Sequence, residues 1–474
     1  MRKDGKKIDF LCTLDNYLLF CHVVFLQTMR IVIAGAGEVG THLAKMLNQE
    51  EHDLVVIDND TNRLKAIGST LDVLTIEGNA NSISRLNEAK IEKADLLISV
   101  TSSEDVNINS AILSKRFGAK KTIARIDNQE YLIPANKEIF ENLGVDYMIY
   151  PEKIAAREIV GLLSETGSTE VVEFGGGKLH MYVIRLDEGA PIIDKSLREI
   201  APGNDSLEYR AVAITRQGQT IVPSGDDRFE CGDLVYVISS KTGMKQLYKY
   251  SGKKQFEVHN IMILGGSRIG RKTADALGKQ HYVKLIEKDR ERSYTLSNRL
   301  NNTLVINGDG TDMELLRQEG LDRMDAFIAV TGNSETNILS CLLAKQMGVK
   351  RTIAEVENID YIPLAENIGV DTIINKKLIT ASRIFRFTMS DEVTSIKCLT
   401  GTEAEVMEFT VKPEAPATLG TLKEIDFPKE AIIGGVIRGK NAFIAHGETM
   451  IKPYDRVVVF ALPGVIHSIG KYFN

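Results

Sequence analysis

The sequence predicts an α/β protein with two doubly wound parallel sheets, each followed by a smaller α+β domain. Three observations carry this. The chain repeats itself at an offset of 230 residues: Gly35-Ala36-Gly37-Glu38-Val39-Gly40 recurs as Gly265-Gly266-Ser267-Arg268-Ile269-Gly270. Within each copy, short β-branched runs alternate with segments of helical period, the pattern of a parallel sheet covered on both faces. After each such region the texture changes to short strands and Gly/Pro/Asp turns. A repeat this long signals duplicated domains rather than a solenoid.

In the first copy, Arg30–Ala34 reads as a strand. The glycine turn follows it, and then Leu43, Ala44 and Leu47 fall at helical spacing. Further strands are predicted at Leu54–Ile57, Val73–Ile76, Leu96–Val100, Thr122–Ile126 and Tyr147–Ile149. The second copy repeats the order at Ile261–Leu264, Val283–Ile286, Thr303–Ile306, Ala326–Val330, Thr352–Ala354 and Thr372–Ile374. A helix is expected after each set, at about 152–164 and 376–389. The small regions then repeat at an offset of 222, with Arg216 on Arg438 and Asp233 on Asp455; the eight missing residues are expected after Tyr131 and Tyr361. Gly232-Asp233 before a strand is a structural turn signal. The expected domains are 29–150, 169–256, 257–375 and 393–474, with linker helices at 151–168 and 376–392 and a leader, 1–28, outside the fold.

The glycine motif is weak alone, but here it follows a strand, opens a helix, and precedes an acid that closes the second strand. This is the Rossmann dinucleotide fingerprint. Gly35 permits the tight turn, Gly37 lets the backbone approach a pyrophosphate, and Gly40 allows close helix–strand packing. The helix start, with Glu38 and Val39, presents N–H groups to phosphate. Asp58 is placed to accept from ribose hydroxyls and to repel a 2′-phosphate, which favours NAD(H) over NADP(H). Asn79, Ala80 and Thr101 stand at later strand ends, on the ligand edge of an open sheet. Arg125 offers a guanidinium either to phosphate or to a salt bridge at that edge.

The second copy keeps Gly265, Gly270, Glu287 and Asp309, but departs twice. Ser267 replaces the middle glycine, placing a Cβ and a hydroxyl where a pyrophosphate would approach. Glu355 stands where Arg125 stood. Weaker or altered occupancy is expected there, such as a smaller adenine nucleotide.

Composition narrows the classes. Apolar residues make up 43% and charged residues 26%, enough for several cores. A net charge of −6 argues against nucleic-acid partners, which need a basic face. The five cysteines are scattered and lack metal or redox spacing. The longest apolar run, Leu18 to Leu26 broken by His22, is too short to span a membrane. It could pass as a weak signal peptide, yet Met29 stands directly before the first strand. We read 1–28 as an extension, such as an upstream start codon produces.

A dehydrogenase needs a proton donor beside the nicotinamide. No histidine, Ser-Lys pair or carboxylate pair recurs in both copies to supply one, since His42 becomes Lys272. A sensor without catalytic residues is expected. The glycine motif with Asp58, the Gly78-Asn79-Ala80 turn, the stretch from Thr101 to Asn107-Ile108, Ala124-Arg125-Ile126 and the whole second set resemble the regulator of K⁺ conductance (RCK, or KTN) domain family. Over 29–474 the arrangement is similar to tandem RCK regulators of Trk-type potassium uptake. The resemblance implies a cytoplasmic subunit, peripheral on the inner face of the plasma membrane. It would dock on a membrane-embedded Trk-type transporter subunit, assemble as a homo-oligomer (a dimer or tetramer ring), and respond to NAD(H) or to ATP/ADP. It carries the cofactor role to Gly35, Gly37, Gly40, Asp58, Asn79, Thr101 and Arg125, and to Gly265, Gly270, Glu287 and Asp309. Alternative readings are an RCK regulator of another cation channel or antiporter, and an NAD-dependent oxidoreductase.

Overall fold

The computed structural model describes residues 28–474, except 51, 201–207, 241, 254, 389–392, 400, 401 and 403. The leader reading at 1–28 falls almost wholly outside the described residues. The fold contains two six-stranded parallel sheets. The first contains β1 (Arg30–Ala34), β2 (Asp53–Asp58), β3 (Leu74–Glu77), β4 (Leu96–Ser99), β5 (Lys121–Arg125) and β6 (Tyr147–Ile149). Its order is β3-β2-β1-β4-β5-β6, so the chain reverses direction across the sheet between β1 and β4. Ligands bind outside the strand ends at such a switch point. Helices cover both faces, which is why Leu54–Ile57 and Leu96–Ser99 are buried without alternation.

Between the sheets lie β7 (Glu170–Phe174), β8 (Leu179–Arg185), β9 (Tyr209–Arg216), β10 (Gln219–Ile221) and β11 (Leu234–Ser239), which form one antiparallel sheet. The second parallel sheet runs through β12 (Asn260–Leu264), β13 (Tyr282–Glu287), β14 (Thr303–Asn307), β15 (Ala326–Ala329), β16 (Arg351–Glu355) and β17 (Thr372–Ile374), in the same spatial order as the first. The last antiparallel sheet comprises β18 (Val393–Cys398), β19 (Glu405–Thr410), β20 (Ala431–Arg438), β21 (Asn441–Ile444) and β22 (Arg456–Ala461). The sequence pattern did not reveal β7 or β18, whose alternation is interrupted by charged residues.

The shortening between copies also differs from expectation. β6 and β17 stand at an offset of 225, as do the paired ends Arg185 of β8 and Thr410 of β19, and only from β9 does the offset become 222. Five residues are therefore lost where a ten-residue helix, Pro134–Leu143, becomes the seven-residue Tyr361–Asn367. Three more are lost between β8 and β9. The Gly-Asp turns are structural in both copies. Arg216 Nε donates to Asp233 Oδ1 at 2.8 Å, and Arg438 Nε donates to Asp455 Oδ1 at 2.9 Å.

The helices after the parallel sheets exchange partners. The first connecting helix, Pro151–Ser164, buries Ala155, Ile159 and Leu163 in a core with Ile261, Ile269 and Leu277 of the second copy. The second, Lys376–Phe385, buries Ala381, Ile384 and Phe385 against Ile31, Leu43 and Leu47 of the first. Each copy thus completes the other's core. This is the arrangement that brings second-copy residues to the first copy's sheet edge.

Candidate nucleotide site

A cavity of about 420 Å³ opens over the carboxyl ends of the first sheet. Gly35, Gly37, Glu38, Val39, Asp58, Asn79, Ala80, Thr101 and Arg125 all line it. Gly40 lies behind the loop. Gly35 has φ +110°, and its N–H donates to Ile57 O at 2.8 Å, which turns the chain off β1. A Cβ on Gly40 would stand 1.8 Å from Gly35 O, so the helix packs directly on the turn. A Cβ on Gly37 would project into open space, with Arg63 Nη1 nearest at 3.9 Å. Gly37 is the N-cap of the helix Glu38–Gln49, and no side chain caps it. The helix start therefore keeps its positive potential for an anion in the cavity.

Asp58 is 8% exposed and holds the loop in place: Ala36 N donates to its Oδ2 at 2.5 Å and Asp60 N to its Oδ1 at 2.8 Å. Each carboxylate oxygen has a second lone pair that remains for another donor. Arg125 sits in an acidic setting at the sheet edge, 3.5 Å from Asp127 and 3.8 Å from Glu152. The salt-bridge reading made for it from sequence is what the structure shows, and the same guanidinium also lines the cavity.

Sequence reasoning missed Asn107. It is 1% exposed, and its amide ties the ends of β4 and β5 together. Oδ1 accepts from Thr101 N at 2.8 Å and from Thr101 Oγ1 at 2.6 Å, and Nδ2 donates to Thr101 O at 3.1 Å and Arg125 O at 3.0 Å. Asn337 makes the same bonds to Thr331 and Glu355 in the second copy. The signal was present, because Asn107-Ile108 recurs as Asn337-Ile338. The sequence reading also missed Arg63, Glu357, Lys376, Lys377 and Thr380, which line the first cavity. Four of these come from the second copy, and no pattern within the first copy points to them.

The second sheet edge is built alike and charged differently. Gly265 has φ +102°, and a Cβ on Gly270 would meet Gly265 O at 2.0 Å. Glu287 accepts from Gly266 N at 2.8 Å, as Asp58 does from Ala36 N. The Ser267 hydroxyl is turned back into the protein. It donates to Val330 O at 2.7 Å and accepts from Gly270 N at 3.3 Å, capping the helix that copy one leaves open. Asp309 is paired with Lys288 at 2.7 Å, which with the Thr311 N–H and hydroxyl holds its carboxyl down at about 2. Glu287 has Arg292 at 3.6 Å.

Glu355 is buried 3.5 Å from Lys376. Burial, opposed by Lys376 and reinforced by Glu357, pushes its carboxyl up to about 7. The folded state therefore holds this proton more tightly than the unfolded chain does. The stability it contributes is complete below about pH 4.5 and is lost as pH rises towards 7. Glu355→Gln is expected to raise the melting temperature at pH 8 and to leave it unchanged at pH 4.5. A lower melting temperature at pH 8 would contradict this.

Residues 31–151 and 261–376 match the TrkA-N domain family, and residues 181–252 and 406–474 the TrkA-C domain family. The chain is 33% identical to the Trk system potassium uptake protein TrkA homolog 1 of Methanosarcina mazei, over 94% of this chain and all of that protein. It is 36% identical to the TrkA homolog of Archaeoglobus fulgidus over the same shares, and 31% identical to TrkA of Halomonas elongata, over 92% of this chain and 96% of that one. Among solved structures, the GsuK RCK domain superposes with a TM-score of 0.58 at 18% identity, covering 95% of this chain and 96% of that one. The GsuK channel bound to NAD gives 0.57 at 18% identity, covering 98% and 83%. With the tandem fold, the repeated glycine loops and these matches together, the chain belongs to the TrkA family.

Proposed function

We propose that this chain is the nucleotide-binding regulatory subunit of a Trk-type potassium uptake system. It docks on a separate membrane-embedded transporter subunit at the cytoplasmic face and sets potassium flux according to the nucleotide it holds. The observation that carries this reading is the cavity at the first sheet's switch point, with its uncapped helix start and Asp58 at the β2 end. Gly35, Gly37, Glu38, Val39 and Gly40 form the phosphate loop, Asp58 takes the ribose, and Asn79, Ala80 and Thr101 flank the adenosine. The solved GsuK channel bound to NAD, of the same fold, supports NAD(H) as a ligand, and the Asp58 charge disfavours a 2′-phosphate. ATP and ADP share the adenosine and the diphosphate and are the second class to test. The second site is weaker, because Ser267 caps its own helix and Lys288 and Arg292 already neutralise Asp309 and Glu287.

The reading is regulatory rather than catalytic. Among the described residues lining the first cavity there is no histidine or cysteine to exchange a proton with substrate. A ligand shifts a gate only through its different affinity for two states, typically about 1–3 kcal/mol of coupling. The crossed connecting helices supply a path, because a change at the first loop helix bears on a helix that belongs to the second copy.

Calorimetric titration of the protein with NAD⁺, NADH, NADP⁺, ATP and ADP tests this. Binding of NAD(H) or adenine nucleotides without consumption of NADH is expected, with NADP⁺ weaker. Absence of binding by all five would sink the reading, and turnover of NADH with a 2-hydroxy or 2-oxo acid would replace it with an oxidoreductase.

A further inference from the structure

The two copies clasp each other through one ion pair that occurs twice with its signs reversed. The loop helices begin at Glu38 and Arg268, the same position at the 230-residue offset. A single residue separates each connecting helix from β6 or β17, so Pro151-Glu152 and Lys376-Lys377 occupy the same first two helical positions. Across the copies, Glu38 is paired with Lys377, and Arg268 is paired with Asp127 at 2.9 Å and faces Glu152 at 3.8 Å. At the first cavity the loop therefore supplies an acid and the other copy's helix supplies two cations. At the second edge the loop supplies the cation and the other copy's helix the acid.

The lysines are seated for more than a bridge. Asn375 caps their helix, accepting from Lys377 N and Leu378 N at 2.9 Å each. Its amide donates to Val356 O at 2.8 Å, which pins the helix start to the β16 end. The backbone under Lys376 and Lys377 is thus fixed, and only the four-carbon stems can move. Both lysines line the first cavity together with Gly37 and Glu38. Lys377 Nζ donates to Glu357 O at 2.9 Å and lies 3.8 Å from Glu357 Oε2, while Lys376 pairs with Glu355 and Glu357. Lys377 is 8% exposed, yet Glu38 is 68% exposed at the cavity mouth. The Glu38 carboxylate, exposed on a flexible stem, is therefore the partner free to swing away, while Lys377 stays held at the cavity wall.

We propose that Lys376 and Lys377 of the second copy bind the phosphates of the nucleotide held by the first copy. The ligand's diphosphate takes the place that Glu38 and Glu357 carboxylates now hold. This deepens the nucleotide reading above and rests on it. Diphosphate binding then requires both copies in register, so the ligand reports and enforces their relative placement.

Calorimetry on the full chain with NADH and with ADP decides this, using Glu38→Gln, Lys377→Gln, Lys377→Arg and the double variant K376Q/K377Q. Charge-assisted hydrogen bonds of this kind carry roughly a tenfold or larger effect on affinity. The double variant is expected to weaken both ligands by at least that much, and Lys377→Arg to retain them. Glu38→Gln removes a competing anion, so it is expected to tighten both ligands. Glu38→Gln and Lys377→Gln break the same ion pair. Equal weakening in both would show that the pair merely holds the copies together, and would overturn the proposal. Unchanged affinity in the double variant would overturn it too. Failure of the unaltered protein to bind either ligand is a separate result, seen before any variant is made, and it defeats the nucleotide reading instead. Melting temperatures of all variants report whether they fold.

Discussion

Gly40→Ala is expected to unfold the first sheet domain, whereas Gly37→Val leaves it folded and empties its site. The two glycines stand three residues apart and read alike in the motif, but their surroundings are opposite. A methyl on Gly40 would lie 1.8 Å from Gly35 O, a backbone atom that cannot swing aside because Gly35 is pinned to Ile57. The loop helix would have to lift off β1, opening a core that contains Ile33, Leu43 and Leu47. Overpacking of this kind costs about 1–3 kcal/mol, and parting backbone from backbone costs more, a large share of a typical stability of 5–15 kcal/mol. Gly37 meets nothing within 3.9 Å, so valine there costs little in the unliganded fold. Its methyl groups would instead fill the space a diphosphate needs at the helix start. Circular dichroism melting and NADH titration of the two variants separate the outcomes. A folded Gly40→Ala, or a Gly37→Val that still binds NADH with unchanged affinity, contradicts the assignment.

Asn107→Ala is expected to destabilise the protein by roughly 3–5 kcal/mol and to weaken nucleotide binding as well. Each buried polar group left without a partner costs about 1–3 kcal/mol. The substitution strands the Thr101 N–H and the carbonyls of Thr101 and Arg125 together. Thr101 and Arg125 both line the cavity, so their strand ends loosen where the ligand sits. Asn337→Ala makes the matched comparison, because it breaks the same bonds in the second copy. It should destabilise similarly by chemical denaturation while leaving first-site affinity nearly unchanged. A loss under about 1 kcal/mol for Asn107→Ala would mean that water replaces the amide and that the tie is not structural.

Much of this protein is written locally. The parallel strands announce themselves because buried strands need uninterrupted β-branched runs, and the glycine loop because only particular positions tolerate its turn and close contacts. Duplication made the reading stronger, since Asp58 with Glu287 and Arg216 with Arg438 each appear twice in equivalent roles. Asn107 was equally legible as a repeated residue. Its work was not, because a buried amide joining two strand ends looks in sequence like any polar residue near a helix start. The strands β7 and β18 were hidden for a related reason: pairing to a neighbour, rather than their own alternation, makes them strands.

The sequence by itself determined two sheet domains, two glycine loops and the unequal chemistry of their central positions, all properties of short-range spacing and steric demand. The tertiary structure alone decided that each connecting helix completes the opposite copy's core. That crossing places Lys376 and Lys377 at the first site. These outcomes depend on which surfaces meet between segments far apart in the chain, for example Glu38 against Lys377. No local period encodes that, because burial rewards any complementary apolar face and only the assembled geometry selects the partner.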